Sequence, residues 1–360
     1  MLATSFKSGN QLSASSIRAW RIAQALVWLV GATIFGCLLF FPALGLLLFW
    51  NVLIPVAPAL MVISVGLWRN VCPLATTNLL PRHFNLSRKK KMPVRLQSKL
   101  GLVAVIALYL IVPLRHAVLN NSGIATATLL LVAVTIGMSM GFVYDWKSAW
   151  CSTLCPVHPV ERMYGANTLM ALPNAHCDSC VNCSIPCPDS TPNFNPAVPQ
   201  KNNYQKLSGF LIVGGLPGFI WGWFHVPDTL EINSVREIIS AYTMPFAGCI
   251  LSLTLYWMLL NWENKRAGNR VVKIFAASAV SMYYWYRIPA LLGFGLFAKD
   301  GQVVDLSSVL PQWSTTLMTI AAVLFFFYWV VIRKSNHQSW VVRPAYATRQ
   351  SSLSRQKVDR

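Results

Sequence analysis

Negative charge is what this chain has least of: 11 Asp and Glu stand against 30 Lys and Arg, and charged residues fill only 11% of its 360 positions. Soluble globular domains carry about a quarter of their residues as charge, so an ordinary water-facing surface is excluded. Other absences narrow the chemistry. There is no Cys-x-x-Cys-His element, which excludes covalent haem attachment. No glycine-rich loop is suited to cradle phosphate and no general acid–base constellation emerges, so the chain does not read as an enzyme with an organic substrate of its own. Heptads, low-complexity tracts and strong internal repeats are missing. No nucleic-acid motif accompanies the basic run Arg88-Lys89-Lys90-Lys91. Nucleic acid is therefore not an expected partner, and the run reads as a topology determinant or as a docking patch for an acidic protein. Polar and basic residues precede the first apolar stretch without a small-residue cleavage site, so the start of the chain reads as an uncleaved anchor.

What fills the chain instead is apolar: 55% of its residues are hydrophobic, and the mean hydropathy is +0.48. A spanning helix needs about 20 mostly apolar residues, and eight stretches qualify: 22–41, 43–67, 100–115, 122–144, 208–225, 241–261, 274–298 and 312–332. Pro42 divides the first two, which form either a hairpin or one long helix and a shorter one. With the N-terminus inside, segments 1–21, 68–99, 145–207, 262–273 and 333–360 collect 26 of the 30 basic residues. The other side holds Arg115, Arg236 and Lys299, and Arg287 falls within the seventh span. The positive-inside rule then sets both termini and segment 145–207 in the cytoplasm, and the net charge of +19 is mostly a record of topology. The expected fold is an all-α integral membrane protein with about eight transmembrane helices. Its parts are a transmembrane region at 1–144 with a basic loop at 68–99, a cytoplasmic loop at 145–207, a second transmembrane region at 208–332 and a basic tail at 333–360.

Seven of the nine cysteines fall on the basic side. Structural disulfides are not expected in a cytoplasmic segment, so their clustering calls for a metal. The run Cys177-x2-Cys180-x2-Cys183-x3-Cys187-Pro188 has the spacing with which bacterial ferredoxins hold [4Fe–4S] clusters. Two further pieces stand upstream, Cys151-x3-Cys155-Pro156 and Trp68-Arg69-Asn70-Val71-Cys72-Pro73. Thiolates at two-residue gaps also bind zinc, although zinc sites usually come as two separated pairs. In two-cluster ferredoxins the fourth cysteine of such a run serves the other cluster. On that pattern one cluster takes Cys177, Cys180, Cys183 and Cys155. The second takes Cys187, Cys151 and Cys72, one ligand short unless His158, His176, His83 or a non-protein group completes it. The alternative is a single cluster on Cys177, Cys180, Cys183 and Cys187, with Cys72 a buried bystander. Cys37 and Cys249 lie inside spans, where a free thiol acts as a small hydrophobe.

These motifs resemble the membrane-bound polyferredoxin family, the iron–sulfur proteins that accompany periplasmic nitrate reductase, nitrous oxide reductase and cytochrome oxidase assembly. The resemblance rests on Trp150-Cys151-Ser-Thr-Leu-Cys155-Pro156-Val157 and on His176-Cys177-Asp-Ser-Cys180-Val-Asn-Cys183-Ser-Ile-Pro-Cys187-Pro188, all within residues 150–188. The chain departs from the pattern in having one full four-cysteine run where many members have two, and in lacking a glycine after Cys151. The resemblance implies a ferredoxin-like 4Fe-4S loop framed by transmembrane helices in a bacterial cytoplasmic (inner) membrane. It implies one or two [4Fe-4S] clusters. It also implies partners such as a ferredoxin, a flavodoxin, the quinone pool or a membrane reductase.

His116 follows the third span and His225 ends the fifth, so both belong to the outer surface. Two neutral imidazoles from different helices could hold a haem b, or either could contact a quinone. An aromatic belt with Trp221 and Trp223 explains them as well, and haem b is the weaker expectation. Arg287 is the costliest residue, since a guanidinium in the bilayer costs several kcal/mol unless satisfied, and a functional role is the default for such a group. Contact with a quinone carbonyl, a haem propionate or a lipid headgroup stands beside the plain reading of a packed or snorkelling arginine.

The expectation is thus a membrane-bound iron–sulfur electron-transfer protein, a component of an oxidoreductase system more than an enzyme alone. It would relay single electrons between a cytoplasmic carrier and a membrane carrier, quinone or haem, or a partner reductase. The alternatives are a metallocofactor assembly or metal-reduction factor for a respiratory oxidase and a redox-sensing membrane protein.

Overall fold

The computed structural model describes residues 8–9, 13–90, 92–144, 150–165, 169, 172–173, 175–176, 202–226, 235–262, 268–295, 301–334 and 341–344. The run from Cys177 through Cys187 lies outside the described residues. The helices are α1 Ala14–Phe40, α2 Pro42–Asn78, α3 Val94–Leu119, α4 Gly123–Val143, a short α5 His158–Tyr164, α6 Asn203–Phe224, α7 Val235–Trp262, α8 Gly268–Leu291 and α9 Gln312–Ile332. Local chemistry sets several starts. Ser13 accepts from Ser16 N (3.2 Å), Ser122 from Ala125 N (3.1 Å) and Asn202 from Tyr204 N (2.9 Å), each answering a donor that the first helical turn leaves unpaired.

Seven of these helices, all but α5 and α8, are long and apolar enough to cross a membrane, and the chain is a multi-pass membrane protein. The seventh expected span, 274–298, differs. Its helix α8 starts at Gly268 and ends at Leu291, and Arg270, Lys273 and Arg287 make it less apolar than its neighbours. It is nevertheless of spanning length, and it packs between α6 and α9. Three short strands, β1 Ser8–Gly9, β2 Leu172–Pro173 and β3 Val341–Pro344, pair in parallel in the order β1-β3-β2. Ser8–Gly9, Leu172–Pro173 and Val341–Pro344 are thereby brought together at one end of the bundle.

The first two spans form a hairpin. The chain reverses at Phe41–Pro42, so that Gln24 Nε2 donates to Asn70 O (2.9 Å) and Trp28 Nε1 to Thr77 Oγ1 (3.1 Å). Helix α2 is not straight. It is a π-helix at Leu47–Leu53 and kinks at Ser64 (φ −152°, ψ 79°). The Tyr284 hydroxyl enters its ladder, donating to Pro55 O (2.6 Å) and accepting from Ala59 N (2.9 Å), one of the recognised ways to bend a helix. At Cys72 the backbone leaves the helix (φ −56°, ψ 121°), because Pro73 lacks a donor and pushes the preceding residue out of the α region.

Helix α6 is central: 67% of its most apolar window is buried, against at most 44% in the other spans. Around it α3, α7 and α8 contribute Val105, Tyr109, Tyr256 and Phe275 to one core. Lipid is as apolar as these side chains, so association depends on close packing and interhelical hydrogen bonds. Gly218 of α6 and Gly248 of α7 meet backbone to backbone, and a Cβ on either would strike the other's carbonyl oxygen. Accordingly, Gly218→Leu should cost about 1–3 kcal/mol by overpacking, read as a lower melting temperature in detergent. Gly101→Leu, whose Cβ would meet open space, should stay near wild type.

Candidate functional site

The break at Cys72 faces the start of the cysteine loop. Ala75, Leu79, Trp150 and Cys151 form a buried nucleus, and Cys72, Leu154 and Cys155 pack against it together with Ala133 and Met140 of α4. Three of the expected ligands, Cys72, Cys151 and Cys155, are thus brought together from two distant segments. Gly137 and Gly141 make room for this: both lie against Asn78, where a side chain on α4 would collide. Asn78 Nδ2 in turn donates to Cys151 Sγ (3.8 Å). The Trp150 indole N–H is buried in the same nucleus with no acceptor among the described residues. Ala175 N donates to Asn70 Oδ1 (3.0 Å) and His176 Nε2 to Arg69 O (3.2 Å). The loop is therefore tied to α2 at the residue preceding Cys177. Cys177, Cys180, Cys183 and Cys187 themselves lie outside the described residues.

Arg69 joins these pieces. Its Nη1 donates to Cys151 O (3.0 Å) and to Glu161 Oε2 (3.1 Å), and both side chains are almost fully buried. Burial by itself would raise the Glu161 pKa. The Arg69 charge and hydrogen bonds from His158 and Trp68 outweigh it and hold the carboxyl below its ordinary range. His158 Nδ1 lies 3.0 Å from the same Oε2. Because an ionised carboxylate only accepts, Nδ1 carries the proton. Burial lowers the His158 pKa to about 4 and that of His176 to about 3, so both imidazoles are neutral at pH 7. His83, the third histidine considered, is exposed.

Burial pushes the Cys151 thiol up to about 12, with Arg69 pulling the other way. Cys155 is also pushed well above its usual value by burial, with Glu161 adding to the effect. Thiolates at this depth form only where a cation sits at the sulfur. The donor set therefore suits a metal centre: soft sulfur ligands, an amide and an indole N–H free to reach bound sulfur, and a buried guanidinium to offset negative charge. Among the described residues no three His, Cys, Asp or Glu side chains converge tightly enough for a single ion, whereas a cubane holds its thiolates at separate corners.

The other sequence candidates lie at the opposite end. Trp50 and Asn51 are on the first π segment of α2 and Arg115 and His116 on a second at Arg115–Leu119. Arg287 is only 2% exposed. Its Nη2 donates to Asn51 Oδ1 (2.8 Å) and Trp50 O (3.1 Å). Arg115, which the sequence reading counted on the outer side, is buried at 4% exposure. It donates to the same Asn51 Oδ1 (3.1 Å) and lies over the Trp50 and Trp223 rings. His116 rests on Trp223 (4.6 Å between centroids), while the exposed His225 rests on Trp221 (4.5 Å) and donates to Trp221 O. Positions two apart on a helix do not face each other, so the two imidazoles are not a pair around a common axis. From Asn51 to Cys72 along α2 is about 30 Å at helical rise, which separates Arg287, His116 and His225 from the cysteine end.

Glu161, Asn78 and Asn51 escaped the sequence reading, Arg115 was noted there only as an outer-side charge, and Arg69 only as part of a motif. One signal was available: Glu161 is an acid close behind Cys155-Pro156 in a chain with few acids.

Breaking one partner of a buried ion pair costs about 3–5 kcal/mol. Glu161→Ala and Arg69→Met should each show a loss of that order in detergent unfolding, with the double variant well short of their sum. Comparison with protein-family models, curated proteins and solved structures finds no match to this chain.

Proposed function

We propose that this membrane protein is an iron–sulfur electron carrier of the polyferredoxin type, in which Cys72, Cys151 and Cys155 join the run Cys177, Cys180, Cys183 and Cys187 in holding [4Fe–4S] clusters. The observation that carries the reading is the meeting of Cys72 with Cys151 and Cys155 around Arg69, next to the point where the chain enters the four-cysteine run. A bystander thiol has no reason to sit with two others in a nest that contains an amide donor and a buried cation. When bound, such a cluster supplies reversible one-electron chemistry at a potential set by hydrogen bonding and burial.

The chain's own residues do the rest. Arg69 offsets the charge of the thiolates, Asn78 donates to Cys151, and the Trp150 N–H is available to a bound sulfide. Electrons enter and leave at the cysteine end, which carries most of the basic residues and suits an acidic partner such as a ferredoxin or flavodoxin. Arg287 and His116 are the candidates for a quinone or partner contact at the opposite face, too remote to touch the cluster ligands.

Anaerobic purification in detergent with iron and sulfide quantitation, then EPR of the dithionite-reduced protein, tests this. The expected result is about eight irons per chain with interacting signals, and loss of one signal in Cys72→Ser. Zinc without iron would overturn the electron-transfer reading.

A further inference from the structure

We propose that His158 is itself a cluster ligand, bound through Nε2 beside Cys72 and Cys151; the inference rests on the reading above. The residue opens the first turn of α5, and its backbone N–H donates to Cys155 O (3.1 Å), which sets it one turn from that cysteine. The Glu161 carboxylate takes the proton of Nδ1 at 3.0 Å, and Arg69 holds that carboxylate at 3.1 Å. Nε2 is left as a bare lone pair on a residue only 2% exposed, with no donor reaching it among the described residues. A buried acceptor without a partner is costly. The arrangement that resolves it is the one metal-bound histidines adopt, in which the far nitrogen is held by a carboxylate that orients the ring and raises its basicity.

Ligand number points the same way. Two cubanes need four protein ligands each, and the sequence offers seven cysteines on its basic side. One imidazole completes the set. Of the other histidines considered, His83 is exposed, and the His176 ring is held by the neutral Arg69 carbonyl, a weaker orienting partner than the Glu161 carboxylate that holds His158.

The test uses the full chain, purified anaerobically and reduced with dithionite, with pulsed EPR of natural-abundance and 15N-histidine-labelled protein. A strongly coupled nitrogen that changes isotope with the histidine label is expected. It should vanish in His158→Ala and persist in His176→Ala. His158→Cys should keep the wild-type iron content, lose the histidine coupling and shift the potential downward, since a thiolate adds negative charge where an imidazole added none. If His158→Ala does not fold, the labelled wild type decides alone. Iron present with no histidine coupling, coupling that survives His158→Ala, or only about four irons would overturn this inference and leave the iron–sulfur reading standing. Absence of iron would overturn both.

Discussion

A guanidinium taken out of water must be answered by negative charge or by oxygen acceptors at the same depth, and Arg69 meets that demand by drawing three segments together. Its side chain reaches Cys151 O and Glu161, and its carbonyl accepts from His176. The end of α2, the turn carrying Cys151 and the short helix carrying His158 are thereby joined at one buried charge. The gathering of Cys72 with Cys151 and Cys155 follows from it, as does the fixed tautomer of His158. The same demand organises the far end, where Arg115 and Arg287 share Asn51 Oδ1 and use an indole face and a carbonyl of the irregular π segment. Such segments often mark functional sites.

Between the two ends the bundle behaves as a spacer. Contacts across α3, α6, α7 and α8 rely on small residues and on side chains that donate to backbone carbonyls, such as Tyr109 to Leu211 O (2.7 Å), Tyr242 to Leu110 O (2.7 Å) and Trp223 to Val112 O (3.1 Å). Lipid offers no hydrophobic drive between helices, so these bonds and the Gly218–Gly248 approach hold the frame. A rigid frame keeps the cysteine end apart from the Arg287 cluster. Two buried polar clusters thus stand at opposite ends of α2, one around Arg69 and one around Asn51.

The helical multi-pass membrane architecture was legible because a bilayer imposes a rule on stretches of sequence, a minimum apolar length, whereas the hairpin of α1 and α2 was one of two readings that Pro42 left open. Helix α8 was harder to bound, since Arg287 and the tyrosines beside it serve packing against α2 and break the apolar run. The burial of Arg115 was not legible for a related reason. Sequence position near a helix end does not tell whether a neighbouring tryptophan will cover the side chain.

Cysteine spacing by itself determined which chemistry to expect, because thiolates at those intervals suit iron–sulfur ligation through local geometry alone. Hydropathy by itself determined where most of the long apolar helices lie. Only the tertiary structure decided that Cys72 meets Cys151 and Cys155, that Glu161 is the partner of Arg69 and that His158 turns Nδ1 to it. Those meetings depend on the bends at Ser64 and Cys72 and on the room left by Gly137 and Gly141. Contacts between residues far apart in the chain are set by such packing, which neither spacing nor periodicity encodes.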